Sequence, residues 1–280
     1  MALRFFIILC SLLVFACTLT PPTYLQGKEQ SRGIQRIKTS VLKRSYKRTA
    51  LIIGNSEYKQ GRNNRSLVNP VHDALDLATK LQSLQFELIN NQPLLNANKS
   101  QIKQAVRKFK QQLKQGGIGL FFYAGHGMQI NGANYLIPLG AEFQSKADVE
   151  YDAVKLNWIL AELEEAGNAV NLILLDACRD NPFRNFRGSS SQGLAESRVP
   201  EGSLISFATS PGHVSRDGFG NRNSPYTAGL LRALDTKGIE VLDVFKSVRR
   251  AVKLSTYNKQ VPWESHSLTD DIYLNGLPTD

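Results

Sequence analysis

At 280 residues, with 42% hydrophobic and 21% charged positions, the chain can bury the core of one large α/β domain or two small ones. No internal repeat at solenoid periods is present, which excludes a repeat array. The net charge of +10 suggests nucleic acid until it is located: eight basic residues between Lys28 and Arg48 face one acid, Glu29, and that stretch carries +7 of it. No basic–aromatic platform accompanies the charge, so nucleic acid is not an expected partner.

In chain order, Arg4 precedes a twelve-residue apolar run, 5–16, that ends near small residues and Pro21-Pro22. This is the pattern of a secretory signal and is short for a membrane span, so residues 1–20 read as a signal peptide or membrane anchor. Val14-Phe15-Ala16-Cys17 resembles a lipoprotein processing site apart from the bulky Phe15, which leaves lipidation at Cys17 open. The expectation is export to the cell envelope or periplasm, with membrane association through the N-terminus. Residues 21–47 read as a basic linker or pro-segment, whose charge favours an anionic surface.

Residues 48–280 read as one globular domain. A continuous apolar strand, 49–54, is followed by a helix over 70–84 with Ala74, Leu77, Ala78 and Leu81 on one face. A strand over 86–89 precedes an amphipathic helix, 98–114, with Ile102, Val106, Phe109 and Leu113 on its stripe. Strands at 118–123 and 135–138, a helix over 156–165 and a long strand over 170–175 come next. A polar loop, 181–202, separates these from a strand at 204–208 and helices at 225–234 and 241–254. Strands alternating with helices predict an α/β fold, a mostly parallel sheet covered on both faces.

In such sheets, catalytic groups gather beyond the carboxyl ends of the strands. Two motifs fall there: Tyr123-Ala124-Gly125-His126-Gly127 and Asp176-Ala177-Cys178-Arg179-Asp180. Of three cysteines, Cys10 and Cys17 lie in the targeting segment, so Cys178 has no partner for an internal disulfide. It is either a buried small hydrophobe or a reactive thiol. Of four histidines, His126 alone combines a strand end with flanking glycines; His72, His213 and His266 read as non-catalytic. A thiolate at Cys178 and an imidazole at His126 are competent for nucleophilic catalysis, and the N–H groups of Gly127 and Cys178 for an oxyanion hole. One cysteine and scattered histidines give no zinc spacing, and no metal or other cofactor is expected.

From about Arg48 to Leu268 the chain resembles caspase-type peptidases, and more closely their bacterial metacaspase-like relatives, the orthocaspases. Gly125-His126-Gly127 is similar to the family's His-Gly motif, and Asp176-Ala177-Cys178-Arg179 to its Gln-Ala-Cys-Arg motif, with the His 52 residues upstream. Ala208-Thr209-Ser210-Pro211-Gly212 resembles the Ser-Thr-x-Pro-Gly segment of the small subunit. The resemblance implies a caspase-like fold divided into a large-subunit-like part, 48–183, a processing loop, 184–202, and a small-subunit-like part, 203–280. It also implies a cysteine endopeptidase acting on protein or peptide substrates.

The departures bear on specificity. Asp176 replaces the Gln, as in metacaspases, and Asp180 replaces the Gly after Arg. Val71-His72-Asp73-Ala74 resembles the metacaspase Asn-Asp-Ala segment, with His for Asn. Extending the register from Gly212 brings Asp217 to the position of the caspase arginine that holds a substrate aspartate. Asp73, Asp176 and Asp217 are therefore the expected substrate-binding residues, selecting Arg, then Lys, and rejecting Asp. The family's calcium-binding acid cluster is not evident after His126, where Asn131-Gly132-Ala133-Asn134 supplies no carboxylate, which leaves a calcium requirement open. Self-cleavage is expected after Arg184, Arg187 or Arg198, with Arg44 and Arg48 as further candidates. Two alternatives stand beside this reading: a catalytically silent caspase-fold protein that binds a partner, and an acyl-transfer enzyme using the same dyad.

Overall fold

The computed structural model describes residues 46–58, 66–178, 198–210 and 220–278. The expected targeting segment, nearly all of the basic linker, most of the processing loop with Arg184 and Arg187, His213 and Asp217 lie outside the described residues. The chain begins with β1 (Arg48–Gly54), α1 (Pro70–Ser83), β2 (Glu87–Leu88), β3 (Leu94–Leu95) and α2 (Lys99–Leu113). It continues through β4 (Ile118–Ile130), β5 (Ala133–Leu136), α3 (Lys146–Asp152), β6 (Val154–Lys155), α4 (Leu156–Glu164) and β7 (Val170–Cys178). After β7 come β8 (Ser203–Phe207), α5 (Pro225–Leu234), α6 (Val241–Ser255) and β9 (Trp263–His266).

The main sheet has the order β2-β1-β4-β7-β8-β9 among the described residues. Its pairs are parallel except for β9, which runs antiparallel to β8 at the edge. Side chains alternate across the strands, which divides the core in two. Ala50, Ile52, Leu120, Phe122, Leu172 and Leu174 pack with α1, α5 and α6. Leu51, Ile53, Phe121, Tyr123, Ile173 and Leu175 pack with α2 and α4. Because both faces are covered, the strands read as continuous apolar runs. Helix α1 buries Ala74, Leu77, Ala78 and Leu81 on one face, and each leucine so buried contributes about 2 kcal/mol.

The helices start where their caps dictate. Asn98 and Gln101 form a capping box on α2, Ser145 and Asp148 on α3, and Ser224 caps α5 ahead of Pro225. The strand expected over 118–123 runs on to Ile130. Asn131 (φ 50°) and Gly132 (φ 76°) then form a two-residue turn that returns the chain antiparallel as β5, at Ala133–Leu136 rather than 135–138. The second strand is shorter than expected, because Asn90 and Asn91 turn with positive φ. Helix α3 and strands β3, β6 and β9 have no counterpart in the sequence reading.

Arg48, a further candidate for self-cleavage, lies inside the sheet. It is the first residue of β1, and its guanidinium donates to the carbonyls of Leu84, Tyr273 and Leu274 at 2.7–3.1 Å. A peptide bond paired inside a sheet cannot enter a protease cleft without unfolding, and this side chain ties β1 to the chain's far end.

Candidate active site

The carboxyl ends of β1 and β7 lie beside residues 124–126 of β4, because the parallel pairing is in register along the whole of β1 and β7. The exit from β1 is tightly tied. Asn55 donates to the Ala97 carbonyl at 3.1 Å and accepts from the Ala97 N–H at 2.8 Å, and the Asn96 side chain accepts from the Ser56 and Glu57 N–H groups. At Gly54 a Cβ would come within 2.4 Å of the Pro70 carbonyl oxygen, so α1 starts directly over this bend. The loop so held delivers Tyr58 into the interior, 3% exposed.

Tyr58 meets His126. The Tyr58 hydroxyl accepts from the His126 N–H at 2.9 Å and donates to the Ile137 carbonyl at 3.1 Å. Its ring lies 4.4 Å from the imidazole, centroid to centroid, tilted by 51°. The Tyr123 hydroxyl shares its one proton between the carbonyls of His126 and Ile137, at 2.8 and 2.9 Å. These two phenols occupy the space beside Gly125, where a Cβ would meet both oxygens at 2.7 Å, and Gly125 has φ 156°. The His-Gly motif thus needs its first glycine for both room and backbone conformation.

His126 is buried and its Cα is the register partner of Cys178 on β7. Gly127 pairs with Leu136. Since the Ile137 N–H donates to the His126 carbonyl, residues 126 and 137 are a hydrogen-bonded pair, and the antiparallel alternation turns the Gly127 N–H away from β5. That direction faces β7, where the pairing of His126 with Cys178 continues the parallel ladder.

Asp73 and Asp176 converge from different elements. Asp176 continues the face of Leu172 and Leu174, and its Oδ2 accepts from the Ser224 hydroxyl and, at 2.8 Å, from the Thr227 hydroxyl. Asp73, in the first turn of α1, accepts from the Ser224 N–H at 3.0 Å. Both carboxylates are buried, as are Ser224 and Thr227. The adjoining loop is bound to α1 as well. Arg222 makes a bidentate pair with Asp76 at 2.8 and 2.7 Å, and Asn223 donates to the same carboxylate. The Arg222 bond holds the Asp76 carboxyl below the usual carboxylate range, and Asp76 in turn raises the Arg222 guanidinium.

Of the residues singled out from sequence, His126 and Gly127 lie within β4 rather than at a strand end, beside the carboxyl end of β7 at Cys178, and Asp73 and Asp176 share Ser224. His72 is half-buried on α1 and His266 exposed on β9. Asn131 and Gly132 make the hairpin turn. Among the described residues, no group of three His, Cys, Asp or Glu is placed to hold a metal ion. Sequence reasoning missed Tyr58, Tyr123, Ser224 and Thr227. A Ser-Pro pair does signal a helix start, but nothing in it names the carboxylate it will face.

Comparison with known proteins agrees with this architecture. The Caspase domain family matches residues 47–273. The chain is 28% identical over 201 residues to the human mucosa-associated lymphoid tissue lymphoma translocation protein 1, covering 70% of this chain and 23% of that protein. The mouse homologue is 27% identical over the same length, with 22% of it covered. The chain thus spans under a quarter of these relatives. The crystal structure of caspase-1 from Spodoptera frugiperda superposes with a TM-score of 0.61 at 18% identity, covering 85% of this chain and 94% of that one. With the match extending from β1 past β9, the chain carries a caspase-type peptidase domain and belongs to the Caspase domain family.

Proposed function

We propose that the protein is a cysteine endopeptidase that cleaves after arginine, and less efficiently after lysine, with Cys178 as nucleophile and His126 as its proton partner. The observation that carries this reading is the register pairing of His126 with Cys178, next to two buried carboxylates that meet at Ser224. His126 takes the thiol proton, and the thiolate attacks the carbonyl carbon of the scissile bond. The N–H groups of Gly127 and Cys178 receive the oxyanion, a contribution of about 100-fold or more for a single donor. Collapse expels the amine, which takes the proton from the imidazolium and leaves a thioester. Water, deprotonated by His126, then hydrolyses the thioester and restores the thiol.

Asp73 and Asp176, with Asp217 as a third contributor, receive the substrate side chain. A guanidinium relieves the repulsion between clustered carboxylates and bonds two oxygens at once; an ammonium is a point charge, and an aspartate adds a like charge. The Asp-x-Cys form at 176–178 aligns this reading with metacaspase-like members. Processing in the loop 184–202 and export through residues 1–20 complete the proposal. Arg198, at the end of that loop, is exposed.

The test is kcat/KM on matched peptides ending in Arg, Lys, Asp and Ala. Cleavage after Arg, then Lys, and none after Asp is expected, with activity lost in Cys178→Ala and in His126→Ala and no further loss in the double variant. Efficient cleavage after Asp, or appreciable activity of Cys178→Ala, would overturn it. Self-processing is read by N-terminal sequencing after incubation, and export by reporter fusions at residues 25 and 280. New ends absent from Cys178→Ala, and a C-terminal reporter active outside the cytoplasm, are the expected results.

A further inference from the structure

We infer that Ser224 and Thr227 are positioning residues for substrate recognition: the first turn of α5 orients Asp176 and Asp73 and so sets how strongly a cationic side chain is selected. This inference rests on the proposed Arg specificity and adds the residues that enforce it.

Ser224 bonds to both carboxylates and caps the helix as well. Its hydroxyl accepts from the Thr227 N–H at 2.9 Å, capping α5, and uses its single proton to donate to Asp176 Oδ2. Its backbone N–H donates to Asp73 Oδ1 at 3.0 Å. Thr227, one turn along, donates its own hydroxyl to Asp176 Oδ2 at 2.8 Å. Two donors on one oxygen fix the Asp176 carboxylate in rotation, and one residue spans the gap between it and Asp73. A helix cap alone needs only the acceptor half of this arrangement. The hydroxyl proton of Ser224 and the whole hydroxyl of Thr227 are surplus to capping, and both go to Asp176.

The nature of the donors matters. Two hydroxyls and an N–H are neutral, so they orient the carboxylates without cancelling their charge, and the positive end of the α5 dipole makes burial of that charge tolerable. The guanidinium carried by the same loop, Arg222, is bound in bidentate fashion to Asp76 on the next turn of α1. Among the described residues of this loop, Ser224 thus brings neutral donors to Asp73 and Asp176, while Arg222 pairs with a different acid.

The experiment compares full-length wild type, Thr227→Val, Thr227→Ser and Ser224→Ala on matched peptides carrying Arg, Lys or citrulline, with thermal melts of each protein. Citrulline keeps the shape of arginine and removes its charge. Thr227→Val is expected to raise KM for the Arg peptide about tenfold, with kcat little changed and the citrulline peptide little affected. Thr227→Ser restores the wild-type Arg-to-citrulline ratio, and Ser224→Ala lowers it further. An equal loss on both peptides in a folded variant, or a folded Thr227→Ser with the valine phenotype, would overturn the inference. If Thr227→Val does not fold, Ser224→Ala is judged by the same ratio. A wild type indifferent between Arg and citrulline would instead remove the specificity reading beneath it.

Discussion

His126 and the acidic pair sit at the same end of the sheet and are held by opposite means. His126 is fixed through its backbone: its N–H goes to the Tyr58 phenol, and its carbonyl receives the Tyr123 phenol and the Ile137 N–H. Asp73 and Asp176 are fixed through their side chains, by hydroxyls and an N–H from the start of α5. On the proposed roles the difference suits the chemistry: backbone restraint orients a proton-exchanging group without drawing on its ring nitrogens, and a carboxylate has several lone pairs, some of which can serve orientation.

The comparison breaks most sharply at Gly125. Gly125→Ala drives a Cβ into both phenols at a φ that disfavours alanine, displacing His126. Misplacement on the ångström scale costs on the order of 100-fold, and kcat/KM should fall by that much on Arg and citrulline peptides alike. A variant that lost only Arg selectivity would show that the two halves are not separately held. Tyr58→Phe is gentler, keeping the ring against the imidazole and removing the hydroxyl that pairs with the His126 N–H. A loss of about tenfold in kcat is expected, with the Arg-to-citrulline ratio unchanged.

The smallest effect belongs to the ion pair behind the acidic half. The Asp76 carboxyl is held low by Arg222, so the pair's contribution to stability is complete above the ordinary carboxylate pKa of about 4 and is lost as pH falls through the lowered value. The pair is partly exposed, so the effect is modest. Thermal melts of wild type and Asp76→Asn should differ by a small constant amount near neutrality and converge in acid. A gap that widened in acid would reverse the assignment.

What was legible from sequence was local. The apolar runs at β1, β4 and β7, the faces of α1 and α2, and the start of α5 at Pro225 all carry their period or cap in a few neighbouring residues. Helix α3 buries only Val149 along its length and so has no apolar stripe to read. Strand β9 shows no inward-outward alternation, and is a strand because the open edge of β8 pairs with it. The extension of β4 past Tyr123 ends at Asn131-Gly132, a hairpin dipeptide legible in the sequence.

The sequence alone determined the class of fold and the two strand-end motifs, since hydrophobic period and motif spacing are properties of consecutive residues. Only the tertiary structure decided what those motifs touch. Tyr58 reaches His126 across 68 positions, and Ser224 reaches Asp176 across 48 and Asp73 across 151. None of these contacts has a period or a spacing in the chain. They exist because parallel strands bring their carboxyl ends to one side, and because Gly54 and Gly125 leave room for close approach there while the α5 cap reaches Asp176.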